Sequence, residues 1–177
     1  MINYTPVVET VRSMRDGRIQ RAWAEVAERL VQLWLDEYTR LHFPHDVVET
    51  TAASFSYLFD IGPQRLIAAW GVSAGRDAAK RDAGRMAGHP LSAGKRYHRG
   101  HAIPHTLGGP TDINLVPQLG SVNVGPFRPL EKQAVATPGS FYFTYWKYRD
   151  NSTQTPSGVD QGLLIPDGTT DIRRHGN

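Results

Sequence analysis

Near the middle of the chain Tyr97-His98-Arg99-Gly100-His101 is followed by Asn114-Leu115-Val116-Pro117-Gln118, and then by Asn123, Arg128 and Glu131. An imidazole, a guanidinium, a neutral oxygen donor and a carboxylate in this order could hydrolyse a phosphodiester with one divalent metal. They offer a base for water, fixed positive charge for the pentacovalent transition state and a ligand for a hard cation.

Imidazoles titrate near neutral pH, so His101 is the expected general base. Arg99 stands two residues earlier and would share a face with His101 on an extended strand, because side chains alternate with period two. Gly100 between them would permit close approach of a phosphate backbone. Asn123 is the expected metal ligand through its amide oxygen, since magnesium takes oxygen donors and keeps several waters. Glu131 lies eight residues on. On one continuous helix that is about 80° around and about 12 Å along, so Glu131 is expected to act on the metal through a bound water. Asn114 is expected to hold the metal-bearing helix or the phosphate in register.

These groups need a scaffold and a setting. The chain has 177 residues, 40% of them apolar, enough for one core with a helical extension. It has no cysteine, so disulfides, thiolate zinc sites and thiol nucleophiles are excluded. No apolar run approaches the roughly 20 residues of a membrane helix. The first residues, Met1-Ile-Asn-Tyr-Thr-Pro6, have neither a basic lead nor an apolar run, so no removable signal is expected. Synthesis in the cytoplasm without membrane insertion is the expectation. Residues 1–90 carry 11 basic and 11 acidic side chains, whereas residues 91–149 carry 7 basic and 2 acidic ones. That local excess suits a polyanion, with Arg99, Lys95, Arg96, Arg128 and Lys132 as the expected nucleic-acid contacts.

The elements follow from periodicity. From Gly17 to about Arg40, Ile19, Trp23, Val26, Leu30, Leu33 and Trp34 form one apolar stripe of a helix. Pro44 ends the pattern. Ser54 to Phe59 alternates as a short strand, and Gln64 to about Met86 reads as one or two helices broken near Gly71. Ser140 to Arg149 is the strongest strand; its aromatics could stack on bases, but alternating aromatics are the mark of packing. Residues 167–177 are polar and expected to be a flexible tail.

Arg99-Gly100-His101, Asn114 with Pro117-Gln118, Asn123 with Gly125, and Leu130-Glu131 resemble the DNA/RNA non-specific endonuclease family, whose usual signature is Asp-Arg-Gly-His. The loop Gly100-His-Ala-Ile-Pro-His-Thr-Leu-Gly-Gly-Pro110 resembles that of bacterial toxin members. The resemblance covers roughly residues 95 to 165. It implies an α+β fold with a ββα-metal, or His-Me finger, core and a small antiparallel sheet. In this reading residues 1–90 are a helical N-terminal region, 91–166 the nuclease core and 167–177 the tail. It also implies magnesium, or manganese or another divalent ion, as cofactor. His101 would be the base, Arg99 the phosphate ligand, Asn123 the metal ligand and Glu131 the residue that orients metal-bound water. The products would carry 5′-phosphates. DNA, with RNA as the other candidate, would be the substrate of an antibacterial effector held in check by a cognate inhibitor and delivered to another cell.

This sequence departs from the family pattern at three places. His98 stands where the signature aspartate usually sits, and Pro126 and Pro129 fall where the metal-bearing helix should run, so that helix must start late or kink. A catalytically idle nucleic-acid-binding module on the same scaffold is the alternative. Zinc held by His98, His101 and His105 would require the backbone to turn between the first two.

Overall fold

A computed structural model describes residues 1–13, 19–79 and 83–177. Its elements in chain order are helices α1 (Thr5–Arg12) and α2 (Ile19–Leu41), strands β1 (Val47–Ala52), β2 (Phe55–Asp60) and β3 (Arg65–Val72), helix α3 (Ala83–Met86), and strand β4 (Tyr97–His101). After a single 3-10 turn at His105–Leu107 come β5 (Leu115–Leu119), α4 (Gly120–Val124), α5 (Arg128–Ala136), β6 (Phe141–Lys147), β7 (Gly158–Leu164) and β8 (Thr170–Gly176). Six strands form one antiparallel sheet in the order β1-β2-β3-β6-β7-β8, and β4 pairs with β5 as a separate ribbon.

Strand β6 shows how the layers are built. Its aromatics alternate between two covered faces. Phe141 packs on Trp23, while Phe143 and Tyr145 pack on Trp34, so this face carries α2. On the other face Trp146 packs on Phe127, ahead of α5. The apolar stripe of α2 is therefore the inner face of a helix lying across the sheet, with Trp23, Val26, Leu30 and Trp34 buried. The expected start of that helix at Gly17 lies outside the described residues. The aromatics of β6 are core, and none is left as a base-stacking surface.

Strands β3 and β6 are neighbours in the sheet, yet residues 73–140 lie between them in sequence. The ribbon β4–β5 and helices α4 and α5 are one excursion from the central sheet. Its neck is closed by backbone bonds from Ser73 N to Ser140 O at 2.8 Å and from Gly139 N to Ser73 O at 2.7 Å. Ser73 Oγ also donates to Ala134 O at 2.7 Å, which ties the end of α5 to the same neck.

Three expectations are corrected. Residues 65–72 form a strand and not a helix: Leu66-Ile-Ala-Ala-Trp70 is buried on both faces, and such a central strand reads as a continuous apolar run that alanine makes look helical. Gly71 does not break a helix; a Cβ there would come within 2.4 Å of the Phe55 ring on the adjacent strand. Residues 47–72 as a whole give three strands of the main sheet, so the segment before residue 90 is mixed rather than helical. The tail 167–177 is not loose either. Asp167-Gly168, with Gly168 at φ 94°, turns the chain back so that Thr170–Gly176 pairs along β7. Its polar side chains find partners: Arg174 donates to Ile2 O at 2.8 Å, and the Asn177 side chain bonds Leu119 N and Pro117 O at 2.7 and 2.9 Å.

Candidate active site

The ribbon positions the motif by alternation. Arg99 is registered opposite Pro117 and His101 opposite Leu115, and both side chains reach one cleft of about 570 Å³. Asn123 from α4, and Arg128, Glu131 and Lys132 from α5, line the same cleft. Residues up to 33 apart in sequence are thus gathered at one place. His101 is 8% exposed and lines the cleft, with its Nε2 sealed from the surface. The Arg99 guanidinium donates to Arg85 O at 2.5 Å, and Arg85 pairs with Asp112. That contact fixes the direction from which Arg99 enters.

Gly100 has a different reason from the one its spacing suggests. A Cβ at that position would lie 2.3 Å from Oε1 of Gln118, a fully buried residue of β5. The glycine makes room for a protein side chain within the ribbon.

Asn114 does not line the cleft. It is 0% exposed and clamps the loop that leaves β4: Oδ1 accepts from Ile103 N at 2.6 Å, while Nδ2 donates to Ile103 O at 2.8 Å and Pro110 O at 3.1 Å. The clamp needs Gly109, where a Cβ would meet Ile103 O at 2.0 Å. Through this loop Asn114 places Pro104, His105 and Thr106 on the cleft wall. Its contribution is positional. The expectation that Asn114 holds a helix or a phosphate gives way to a loop staple.

Helix α4 ends at Val124 and α5 begins at Arg128, so Asn123 and Glu131 do not lie on one continuous helix. Pro126 falls in the break and Pro129 in the first turn of α5, positions where a missing N–H costs little. Glu131 also sits in that first turn, where the helix dipole favours a carboxylate. Burial first, and the Glu131 carboxylate second, raise the phenol of Tyr142 well above its ordinary value, which marks Glu131 as close to the sheet. The break is held from below: Gln161 donates from Nε2 to Phe127 O at 3.0 Å.

His98 projects away from Arg99 and His101. Its Nδ1 lies 3.2 Å from Nδ2 of Asn123, and its ring lies over Gly120. His101 and His105 are neighbours, with ring centroids 5.8 Å apart, while His105 Nε2 lies 2.9 Å from Ala79 O. Among the described residues no group of three or more His, Asp or Glu is gathered to hold a metal. Lys95 and Arg96 are exposed just before β4 and do not line the cleft.

Sequence reasoning missed Arg76, which lines the cleft from the start of the excursion. The only signal was an arginine inside a segment read as helical, five residues past Gly71. With Arg76, Arg99, Arg128 and Lys132 against Glu131, the described lining is strongly cationic. Among the described residues no helix is long and apolar enough to cross a membrane.

The chain's fold is similar to that of NucA from Streptococcus agalactiae, in a crystal structure with no metal bound, with a TM-score of 0.53 and 17% identity over 77% of this chain and 72% of that one. No curated protein matches the chain. Residues 69–161, just over half of the sequence and running from β3 into β7, match the DNA/RNA non-specific endonuclease family. The match takes in Arg76, the whole β4–β5 ribbon, both cleft helices and the strand beneath them, and the chain belongs to that family.

Proposed function

We propose that this chain is a divalent-metal-dependent endonuclease that cuts DNA, and RNA as well, with little sequence preference. One observation carries the reading: Arg99, His101, Asn123 and Glu131, drawn from a strand and two helices, line one cationic cleft of about 570 Å³. In this reading the phosphodiester lies between the cations of the cleft. Arg99, Arg76, Arg128 and Lys132 draw the backbone in and offset charge that grows on the phosphoryl oxygens. His101 takes one proton from the attacking water on its imidazole. As the new O–P bond forms the P–O3′ bond breaks, leaving a 5′-phosphate on one product. The departing 3′ oxygen takes its proton from solvent water.

The donor set fits a hard divalent ion. The Asn123 amide oxygen and the Glu131 carboxylate, acting through water, would hold it, and there is no cysteine to favour a soft metal. When bound, such an ion supplies charge to the phosphoryl and leaving oxygens. The idle-module alternative loses one of its grounds, because the two prolines sit in a helix break and a helix start. A basic cleft also suits an acidic inhibitor in a producing cell, which belongs to the proposed role as an antibacterial effector.

The test is digestion of supercoiled plasmid and of RNA with Mg²⁺ or Mn²⁺, with EDTA, and with His101→Ala. Cleavage that needs the ion and falls by about 10²- to 10⁴-fold in His101→Ala is expected for loss of a general base. Intact substrate under every condition, or a His101→Ala protein that cuts as well as the original, overturns the reading.

A further inference from the structure

The residue that replaces the signature acid is placed to act. His98 lies on β4 facing away from His101, and its Nδ1 is 3.2 Å from Nδ2 of Asn123. An amide nitrogen can only donate, so Nδ1 is the acceptor and the ring proton belongs on Nε2. With Nδ2 engaged in this way, Oδ1 is the Asn123 atom left for the cleft that this residue lines. A metal ligand needs that orientation, because the opposite amide rotamer would aim a donor N–H₂ at the cation.

The ring has a seat. Gly120 opens α4, and a Cβ on it would come within 2.8 Å of His98 Nε2 and within 3.1 and 3.2 Å of two ring carbons. Gly120 is itself fixed, since its N–H donates to Arg96 O at 3.0 Å just ahead of β4. The start of α4 is thereby docked on the ribbon beside His98, three residues before Asn123. From this juxtaposition we infer that His98 is a positioning residue that sets the amide orientation of Asn123 for cation binding, with Gly120 as its seat. The inference rests on the reading of Asn123 as the metal ligand.

It also accounts for the missing acid. A carboxylate at position 98 would add a second oxygen donor beside the ion, whereas the imidazole offers the Asn123 amide an acceptor nitrogen. The other features of the surface carry less. The exposed apolar side chains Leu41, Phe43, Val48 and Ile61 have nothing to define what would cover them, and the buried carboxylates Asp60 and Asp160 are engaged by Tyr38 and by Tyr4 and Lys147.

The test uses the full chain and Mn²⁺ alone, followed by calorimetric titration, with His98→Ala, His98→Asn, Gly120→Ala and Asn123→Ala. Asparagine places an acceptor oxygen where Nδ1 stands, whereas alanine places none. Removing a partner that orients a metal ligand weakens binding by about 10- to 100-fold, so His98→Ala is expected to do this and His98→Asn to bind near the original affinity. Gly120→Ala keeps the imidazole but displaces it, and is expected to weaken Mn²⁺ as His98→Ala does. A second readout needs no metal. The side-chain amide resonance of Asn123, identified by its loss in Asn123→Ala, should shift in His98→Ala and stay in place in His98→Asn. If Asn123→Ala abolishes Mn²⁺ binding while His98→Ala leaves both the affinity and the resonance unchanged, the positioning role is wrong and the ligand reading stands. If Asn123→Ala binds Mn²⁺ as before, the ligand reading falls and the inference falls with it.

Discussion

Gln161, in the middle of β7, donates from its side-chain amide to the carbonyl of Phe127, 34 residues earlier and 3.0 Å away. Phe127 precedes α5, in the break that separates Asn123 from Glu131. The same amide nitrogen bonds Tyr142 Oη at 2.9 Å, and the Gln161 carbonyl lies 3.1 Å from His175 Nε2. One buried side chain therefore couples β6, β7 and β8 to the hinge between the two cleft helices. The central sheet thus braces the break on either side of which Asn123 and Glu131 stand.

Gln161→Leu tests that coupling. Leucine has a similar volume but leaves the Phe127 carbonyl and the Tyr142 hydroxyl without this buried partner, which costs about 1–3 kcal/mol. Urea denaturation should show that loss. Plasmid cleavage measured well below the unfolding midpoint should fall as well, because the helix break is no longer pinned. A variant that loses stability but retains full cleavage would separate the sheet from the geometry of the site.

The cations of the cleft and those beside it can be separated by salt. Each phosphate contact on B-DNA adds about 0.9 to the slope of log K against log salt concentration. In a His101→Ala background with EDTA, where cleavage is expected to be suppressed, Arg76→Ala, Arg128→Ala and Lys132→Ala should each flatten the slope by about that amount. Lys95→Ala and Arg96→Ala should change it less, since both side chains lie outside the cleft. The reverse pattern, measured by fluorescence anisotropy, would place the backbone track along the front of β4.

The legibility of this chain divides along physical lines. Period-two alternation was enough to put Arg99 and His101 on one face, and the apolar stripe from Trp23 to Trp34 was enough to find α2, because both depend on neighbours in sequence. Strand β3 was misread because a strand covered on both sides shows no alternation, and the alanines at its centre carry the strongest helix propensity. Strand β8 was misread as a tail because Arg174, His175 and Asn177 look solvated until their partners at Ile2, Gln161 and Pro117 are known. Arg76 and the His98–Asn123 contact depend on the excursion between β3 and β6 folding back on its neck. No local pattern encodes that return.

Acid should weaken the fold through two histidines outside the cleft. Burial holds His42 below its ordinary value of 6.5, although the Asn151 side chain bonds its Nδ1 at 3.0 Å. Burial, and then the charge of Arg173, do the same to His175, which contacts Gln161. The sign follows from proton counting. Above the unfolded value of 6.5 both rings are neutral in either state and contribute no pH dependence. As the pH falls below it, the unfolded chain takes up protons that the folded chain refuses, so stability drops until the depressed folded values are passed. Asp150 and Asp167, held low mainly by backbone N–H donors, add their own loss only at the more acidic end, below 3.8. Urea midpoints should thus be flat from about pH 8 to about pH 7 and decline toward about pH 5. The His42→Asn, His175→Gln double variant should show a shallower decline over the same range. An unchanged decline in that variant would assign the acid sensitivity to other groups.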